Sequence, residues 1–278
     1  MDATPFLDRL QAAQEAADSA LCVGLDPDPE RLPAHLTSDT ALPHAIVQFN
    51  TAIIEATAPA ACAFKLNFAF YEALGTVGWR VLQSTLDVIP DNRLVIADAK
   101  RADIGNSARF YARSVFQTLD CDACTVAPYM GRDSVMPFLA DEATAAFVLT
   151  RTSNPGAEDF QLRSCGDAPL YAHVAQKVGA WSDAAAGTAG LVVGAPDPDA
   201  LARTRTQCPT LPFLIPGVGA QGGDPTAVMQ AAHTADGPVL VNSSRSILYA
   251  SNGREFAAAA AETAEELRSQ LHAGGNTS

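Results

Sequence analysis

The stretch VIADAKRADIGNSA, residues 95–108, carries Asp98, Lys100 and Asp103 at the end of an apolar run and just beyond it. Asp98 and Lys100 are two residues apart, and Asp103 follows three residues later. An ammonium group held between carboxylates can stabilise a developing negative charge and can also donate a proton. Taken alone, the same pattern also fits a solvated strand end that leads into a helix N-terminus, where acids are favoured.

The scarcity of lysine makes Lys100 more informative. The chain has 18 basic residues, and three of them are lysines, at positions 65, 100 and 177. Lys65 and Lys100 both lie at the ends of apolar runs. Because a guanidinium group hardly deprotonates, a position that keeps lysine in this arginine-rich chain is suited to proton transfer.

The elements that position these residues follow a repeating pattern. Eight short apolar runs alternate with helix-like segments, which is typical of a parallel sheet covered on both faces. The runs are 21–26, 62–67, 93–98, 121–126, 145–150, 189–194, 212–217 and 238–243, and helix-like segments include 41–58, 108–119, 171–181, 224–233 and 255–271.

Eight such units in 278 residues predict an α/β fold, a single-domain (β/α)8 TIM barrel over residues 1–278. The alternative is an open doubly wound sheet, but the glycine fingerprint of dinucleotide-binding sheets is absent after the first strand. We expect a helix over about residues 2–19 to close the barrel bottom, and residues 272–278 to form a frayed tail.

Polar residues gather at the carboxyl ends of the predicted strands, where barrel enzymes place their active sites. Side chains two residues apart share a face of a strand, so Lys65 can act with Asn67, and Asp98 with Lys100. The further strand ends carry Asp26, the segment 150–154, the segment 216–224 and the segment 242–245. This clustering favours a functional site over solvated strand ends.

The segment PGVGAQGGD, residues 216–224, is rich in glycine and follows the seventh predicted strand. Its backbone N–H groups can approach an anion closely, and barrels often bind phosphate after strands seven and eight. Arg245, after strand eight, offers a fork suited to phosphate. An ordinary flexible turn with a surface arginine is the alternative.

Composition excludes several classes of function. The net charge of −13 argues against a nucleic-acid partner. No apolar run is long enough for a membrane span, and the N-terminus lacks a signal pattern. The six cysteines fit a reducing, cytoplasmic compartment. Cys121 and Cys124 form a single CxxC, and the five histidines are scattered, so we expect no metal site.

Six segments together resemble the orotidine 5′-phosphate decarboxylase family, most closely its longer bacterial branch (type 2). The resemblance extends over about residues 6–270. The segments are VGLDP (23–27), FKLNFAFYE (64–72), DAKRADIGNSA (98–108), RTSNPGA (151–157), PGVGAQGGD (216–224) and NSSRSILYA (242–250).

The resemblance implies decarboxylation of orotidine 5′-monophosphate to uridine 5′-monophosphate, the last step of de novo pyrimidine synthesis, without metal or organic cofactor. It also implies a homodimer of barrels with active sites at the interface. Lys65, Asp98 and Lys100 match the family's charged array, and Asp103 matches the acid that the partner subunit donates.

The resemblance likewise implies a set of substrate-binding residues. Asp26 and Lys65 would hold the ribose hydroxyls, and Ser153 the pyrimidine. Gly222, Gly223 and Arg245 would bind the phosphate, with Gln221 between phosphate and base. The set is completed by Asn67, Ile104 and Ser107.

Two positions depart from the family pattern. Leu66 follows the array lysine where this branch usually has proline, and Ser107 replaces a threonine while keeping the hydroxyl. Two alternative functions stay open: a magnesium-dependent sugar-phosphate decarboxylase on the same barrel, and a non-catalytic nucleotide-binding regulator. The second would be expected to lose a member of the array, and all members are present.

Overall fold

The structure, a computed structural model, describes residues 4–219, 222–234 and 236–275. Eight parallel strands form a closed barrel in which each strand pairs with its neighbours in sequence and the eighth closes on the first. This confirms the (β/α)8 prediction, and the alternative of an open doubly wound sheet is wrong. The strands are β1 (Leu21–Gly24), β2 (Ala63–Asn67), β3 (Leu94–Arg101), β4 (Ala123–Val126), β5 (Ala145–Arg151), β6 (Thr188–Val193), β7 (Phe213–Pro216) and β8 (Val239–Ser243).

Helices surround the barrel, and the segments predicted as helical are helical. The longer helices are α1 (Phe6–Ala17), α2 (Leu42–Thr57), α3 (Gly78–Leu86), α4 (Gly105–Arg113), α5 (Leu170–Ser182), α6 (Pro198–Gln207), α7 (Pro225–Ala232) and α8 (Phe256–Gly275). A π-helical turn, Ser114–Thr118, continues α4. Shorter helical turns are Pro29–Arg31, Ala34–Thr37, Phe68–Glu72, Gly75–Val77, Arg132–Val135, Met136–Leu139, Pro155–Asp159 and Arg245–Leu248, and a small hairpin joins Ser164–Cys165 to Ala168–Pro169.

Helix α1 covers the amino-terminal end of the barrel. It begins at Phe6 and ends at Ala17, within the expected range of about 2–19, because Asp18 takes a left-handed backbone conformation. Phe6 and Leu10 are fully buried, and the ring of Phe6 meets that of Phe147 edge-on at 6.2 Å. The helix therefore seals the apolar barrel interior from below.

The C-terminal segment corrects one expectation. Residues 272–275 continue α8 and are not frayed, whereas residues 276–278 lie outside the described part of the chain. Leu271 is buried, and Gly274 packs so closely on α7 that a Cβ there would lie 2.8 Å from the Cβ of Met229. This contact with a distant segment cannot be read from the local sequence.

The barrel interior changes character along its axis. Apolar side chains such as Cys22, Ile96 and Phe147 fill its lower part, next to α1. Towards the carboxyl ends of the strands, the buried Lys65 and Asp98 take their place. Among the described residues, no helix has the length and apolar character needed to cross a membrane.

Candidate active site

A cavity opens at the carboxyl ends of the strands and is lined by residues of β2, β3, β7 and β8 and of the segments that follow β1, β7 and β8. Five residues proposed from the sequence meet there, together with main chain of the glycine-rich loop. The lining consists of Asp26, Lys65, Asn67, Asp98, Pro216, Gly217, Val218, Asn242, Ser244 and Arg245.

Lysine and aspartate side chains alternate at the floor and rim of this cavity. Lys65 Nζ lies 3.0 Å from Asp98 Oδ2 and 3.9 Å from Asp26 Oδ1. The other carboxylate oxygen of Asp98 contacts Lys100 Nζ at 2.5 Å. The side chain of Lys65 is 5% exposed and that of Lys100 is 49% exposed. Lys100 is not among the residues that line the cavity and contacts the site through Asp98.

The mutual contacts favour the charged form of the buried pair. Burial by itself would lower the pKa of Lys65, but the carboxylates of Asp26 and Asp98 outweigh it and raise that pKa above its ordinary value. Burial would raise the pKa of Asp98, but Lys65 and Lys100 outweigh it and hold the pKa well below its ordinary value. Both groups therefore carry fixed charges near neutral pH.

Regular strand geometry does not explain how Asp98 and Lys100 come together. Lys100 has a left-handed backbone conformation, with φ of 46°. The pairing of β3 with β4 shifts there: Ala97 pairs with Cys124 and Arg101 with Val126, so three residues face Thr125 alone. The predicted contact is present, but it forms in a β-bulge, a distortion that re-aims side chains beside active sites.

Asp26 is fixed by contacts from three directions. Its carboxylate accepts hydrogen bonds from the Ser244 hydroxyl and, at 3.3 Å, from the backbone N–H of Asn67. The Tyr249 hydroxyl donates to its carbonyl oxygen at 3.1 Å. Gly24 leaves room for Ser244, because a Cβ at Gly24 would lie 2.1 Å from the serine Oγ. Sequence reasoning assigned no role to Ser244 or Thr125, although both are polar residues at strand ends.

Asp103, Ile104 and Ser107 do not line the cavity of their own chain. Asp103 is half-buried, and its carboxylate accepts the backbone N–H of Ile104 at 2.8 Å. Ile104 and Ser107 are exposed at the start of α4. The cavity is lined by Lys65 and Asp98 but by none of these three predicted site residues.

The loop after β7 is folded on itself. The Gly222 N–H donates to Gly219 O at 2.9 Å, and the Gly223 N–H donates to Gly217 O at 3.2 Å. In this conformation both N–H groups already have partners, and their role in phosphate binding stays a prediction. Gln221 lies outside the described residues.

Arg245 and Ser153 are both exposed, after β8 and β5 respectively. Arg245 follows β8 and lines the cavity, and no described carboxylate lies within ion-pair distance of it. Ser153 follows β5, next to Arg151, whose guanidinium group pairs with Asp197 at 3.4 Å.

No group of three or more His, Cys, Asp or Glu side chains within residues 4–219, 222–234 and 236–275 is arranged to hold a metal ion. Cys121 and Cys124 are buried free thiols, and burial raises the pKa of both.

Comparisons with known proteins identify relatives of this chain by sequence and by fold. The family model described as "Orotidine 5'-phosphate decarboxylase / HUMPS family" matches residues 19–260. A curated relative from Herpetosiphon aurantiacus, named orotidine 5′-phosphate decarboxylase, is 48% identical over 263 residues, covering 94% of this chain and 95% of the relative. One of the same name from Dehalococcoides mccartyi is 45% identical over 272 residues, covering 96% and 97%.

A solved structure gives the same result for the fold. The OMP decarboxylase of Leishmania donovani superposes with a TM-score of 0.81 at 38% sequence identity. The match covers 95% of this chain and 99% of that protein.

Proposed function

The chain belongs to the orotidine 5′-phosphate decarboxylase family, and we propose that it performs the family's reaction with the charged array at the mouth of its barrel. The reaction converts orotidine 5′-monophosphate to uridine 5′-monophosphate and CO2, the final step of pyrimidine biosynthesis. The observation that carries the mechanism is the contact of Asp98 with both Lys65 and Lys100 beside an open cavity.

The chemistry explains why such an array is useful. When the bond between C6 and the carboxylate breaks, CO2 leaves and the electron pair stays on C6 in an orbital that the ring delocalises poorly. The protein must therefore stabilise a localised carbanion. A fixed ammonium group placed beside the forming charge does this without reorganisation during the reaction.

Lys100 is the group that suits this role and the proton transfer that follows. Its ammonium is accessible at the mouth and is held by Asp98, while Lys65 is enclosed beneath. Lys100 donates a proton to C6 to complete the product and regains one from solvent. The sum is one substrate and one proton converted to product and CO2.

The remaining substrate groups are assigned to the residues around the array. Asp26 and Lys65 bind the ribose hydroxyls, and Asn67 positions Asp26 through its backbone N–H. Arg245 binds the phosphate at the side of the cavity that follows β8. Gly222 and Gly223 contribute their backbone N–H groups after these exchange their present carbonyl partners, Gly219 and Gly217, for the phosphate. Ser153 binds the pyrimidine.

A second copy of the chain completes the site in this proposal. The Asp103 carboxylate makes no ion pair with Lys100 within the described part of the chain, and the segment that follows it exposes the apolar side chains of Ile104 and Phe110. Such a patch is suited to an interface between subunits. The homodimer would place Asp103, Ile104 and Ser107 of each subunit at the site of the other.

We also place the enzyme in the cytoplasm. Five of its six cysteines are buried free thiols, a usage that fits a reducing compartment.

The test follows the absorbance of orotidine 5′-monophosphate during incubation with the purified protein in excess EDTA, with Lys100→Ala alongside. Rapid loss of substrate with the wild type alone is expected. Turnover that requires added magnesium would instead favour a sugar-phosphate decarboxylase type of chemistry. A folded wild type that binds the nucleotide without converting it would contradict the proposal and favour a regulator.

A further inference from the structure

We infer that Thr125 is a positioning residue for the decarboxylation, which fixes the bulge that aims the Lys100 ammonium group. The inference rests on the proposed function. Thr125 lies on β4, outside the segments that resemble the family, and its side chain is 1% exposed.

The first observation is the register of the two strands. Asp98, Ala99 and Lys100 together face Thr125, so the regular ladder between β3 and β4 is interrupted for these residues. The backbone N–H of Lys100 has no strand partner in this gap and donates instead to Thr125 Oγ1 at 2.9 Å. The threonine hydroxyl thus replaces the missing hydrogen bond of the ladder.

The second observation is the direction of the hydroxyl proton. Because the Lys100 N–H is a donor, the threonine oxygen accepts from it and its own proton is free for another partner. That proton points to Asp98 Oδ1, at 2.9 Å. The same oxygen receives the ammonium group of Lys100, which closes a ring from the lysine backbone through Thr125 and Asp98 to the lysine side chain.

The third observation is that Lys100 needs such support. A lysine at a φ of 46° is in a region that residues with a Cβ rarely adopt, so the surrounding structure must hold it there. The side chain is half exposed and long, and Asp98 is its one ion-pair partner in the described part of the chain. Thr125 is stiff about χ1 and enclosed, which makes it an effective anchor for both ends of the lysine.

The expected consequence is a loss of rate without a loss of binding. Substrate binding depends mainly on the phosphate and ribose contacts, whereas the transition state depends on the ammonium position at C6. In Thr125→Val, which has the same shape but no hydroxyl, we expect kcat to fall about 10- to 100-fold, the effect of a misplacement of about 1 Å. We expect KM to change by less than about threefold, as for an interaction made in the transition state.

The experiment compares Thr125→Val with Thr125→Ser, which keeps the hydroxyl, in steady-state decarboxylation of orotidine 5′-monophosphate. The serine variant should retain most of the wild-type kcat. The melting temperatures of both variants are measured without substrate. If the valine variant does not fold, Thr125→Cys takes its place, because a thiol is close to serine in size but a weak donor and acceptor.

Each outcome either supports or overturns the positioning role of Thr125. A low kcat with the valine or cysteine variant and a nearly normal kcat with serine supports the positioning role. Unchanged kcat in the variant without the hydroxyl overturns it, and so does an equal fall in the serine variant, which would indicate packing alone. A wild type without decarboxylase activity would refute the proposed function itself, whereas an active wild type with an active valine variant refutes only the role of Thr125.

Discussion

Mixing two inactive variants should restore activity if the site is shared between subunits. Lys100→Ala removes the proposed proton donor, and Asp103→Ala removes the carboxylate that each subunit is proposed to lend to its partner. Within one chain, the Asp103 carboxylate accepts a hydrogen bond from the backbone N–H of Ile104. It makes no ion pair with any described residue. We therefore expect the two groups to act together across an interface between subunits.

The expected recovery follows from counting sites. Equal amounts of the two variants, after free exchange, give homodimers and mixed dimers in a ratio of about 1:2:1 for a twofold-symmetric dimer. In a mixed dimer, one site combines an intact Lys100 with an intact Asp103, and the other site lacks both. About half of the dimers then carry one active site of two, so activity should reach about a quarter of the wild-type value.

The assay measures decarboxylation of orotidine 5′-monophosphate before and after exchange of the two variants, each carrying a different tag so that mixed dimers can be isolated. Purified mixed dimers should show about half of the wild-type activity per dimer. Isolated mixed dimers that remain as inactive as the parent variants would refute the shared site. Wild-type-like activity in Asp103→Ala alone would show that the carboxylate is not needed.

Three further predictions follow from individual contacts. Arg245→Ala should lower kcat/KM about 10- to 100-fold through loss of charge-assisted hydrogen bonds to the phosphate. The wild type should react poorly with phosphate-free orotidine, and equal rates with orotidine and orotidine 5′-monophosphate would contradict this prediction. Arg205 is buried and donates to five main-chain carbonyls, so Arg205→Lys should lower the free energy of unfolding by about 2–4 kcal/mol in urea titrations, with kcat unchanged in the folded fraction. Asp98 has a lowered pKa in the folded state, so its contribution to stability is present above the unfolded pKa of about 3.9 and is lost as pH falls below that value. In urea titrations from pH 7 to pH 3, the free energy of unfolding should therefore fall less for Asp98→Asn than for the wild type.

The barrel could be predicted because its signal is local and repeated. Runs such as residues 189–194 are apolar on both faces, and a parallel sheet covered by helices is the arrangement that buries both. The gathering of Asp26, Lys65 and Asp98 followed from the same pattern, since the carboxyl ends of parallel strands meet at one rim. Contacts between distant segments gave no such signal. The helical conformation of residues 272–275, for example, depends on packing against α7.

The geometry of Lys100 could not be predicted from alternation along a strand. Alternation placed its side chain beside Asp98, but it implied a regular strand, whereas the structure has a bulge with a left-handed lysine. The bulge depends on Thr125 of the neighbouring strand, 25 residues further along the chain. The sequence showed a threonine in an apolar run, yet the pairing that gives its hydroxyl two partners is a property of the fold.

Charge balance connects the array with the proposed dimer. Lys65 and Lys100 together balance Asp26 and Asp98 within one chain, so the two lysines can be kept at the barrel mouth although one is enclosed. Lys100 remains half exposed in the single chain, where water weakens its field. A partner subunit that covers it and brings Asp103 would exclude water and add a second carboxylate to hold the ammonium. In this proposal the subunit contact strengthens the catalytic charge.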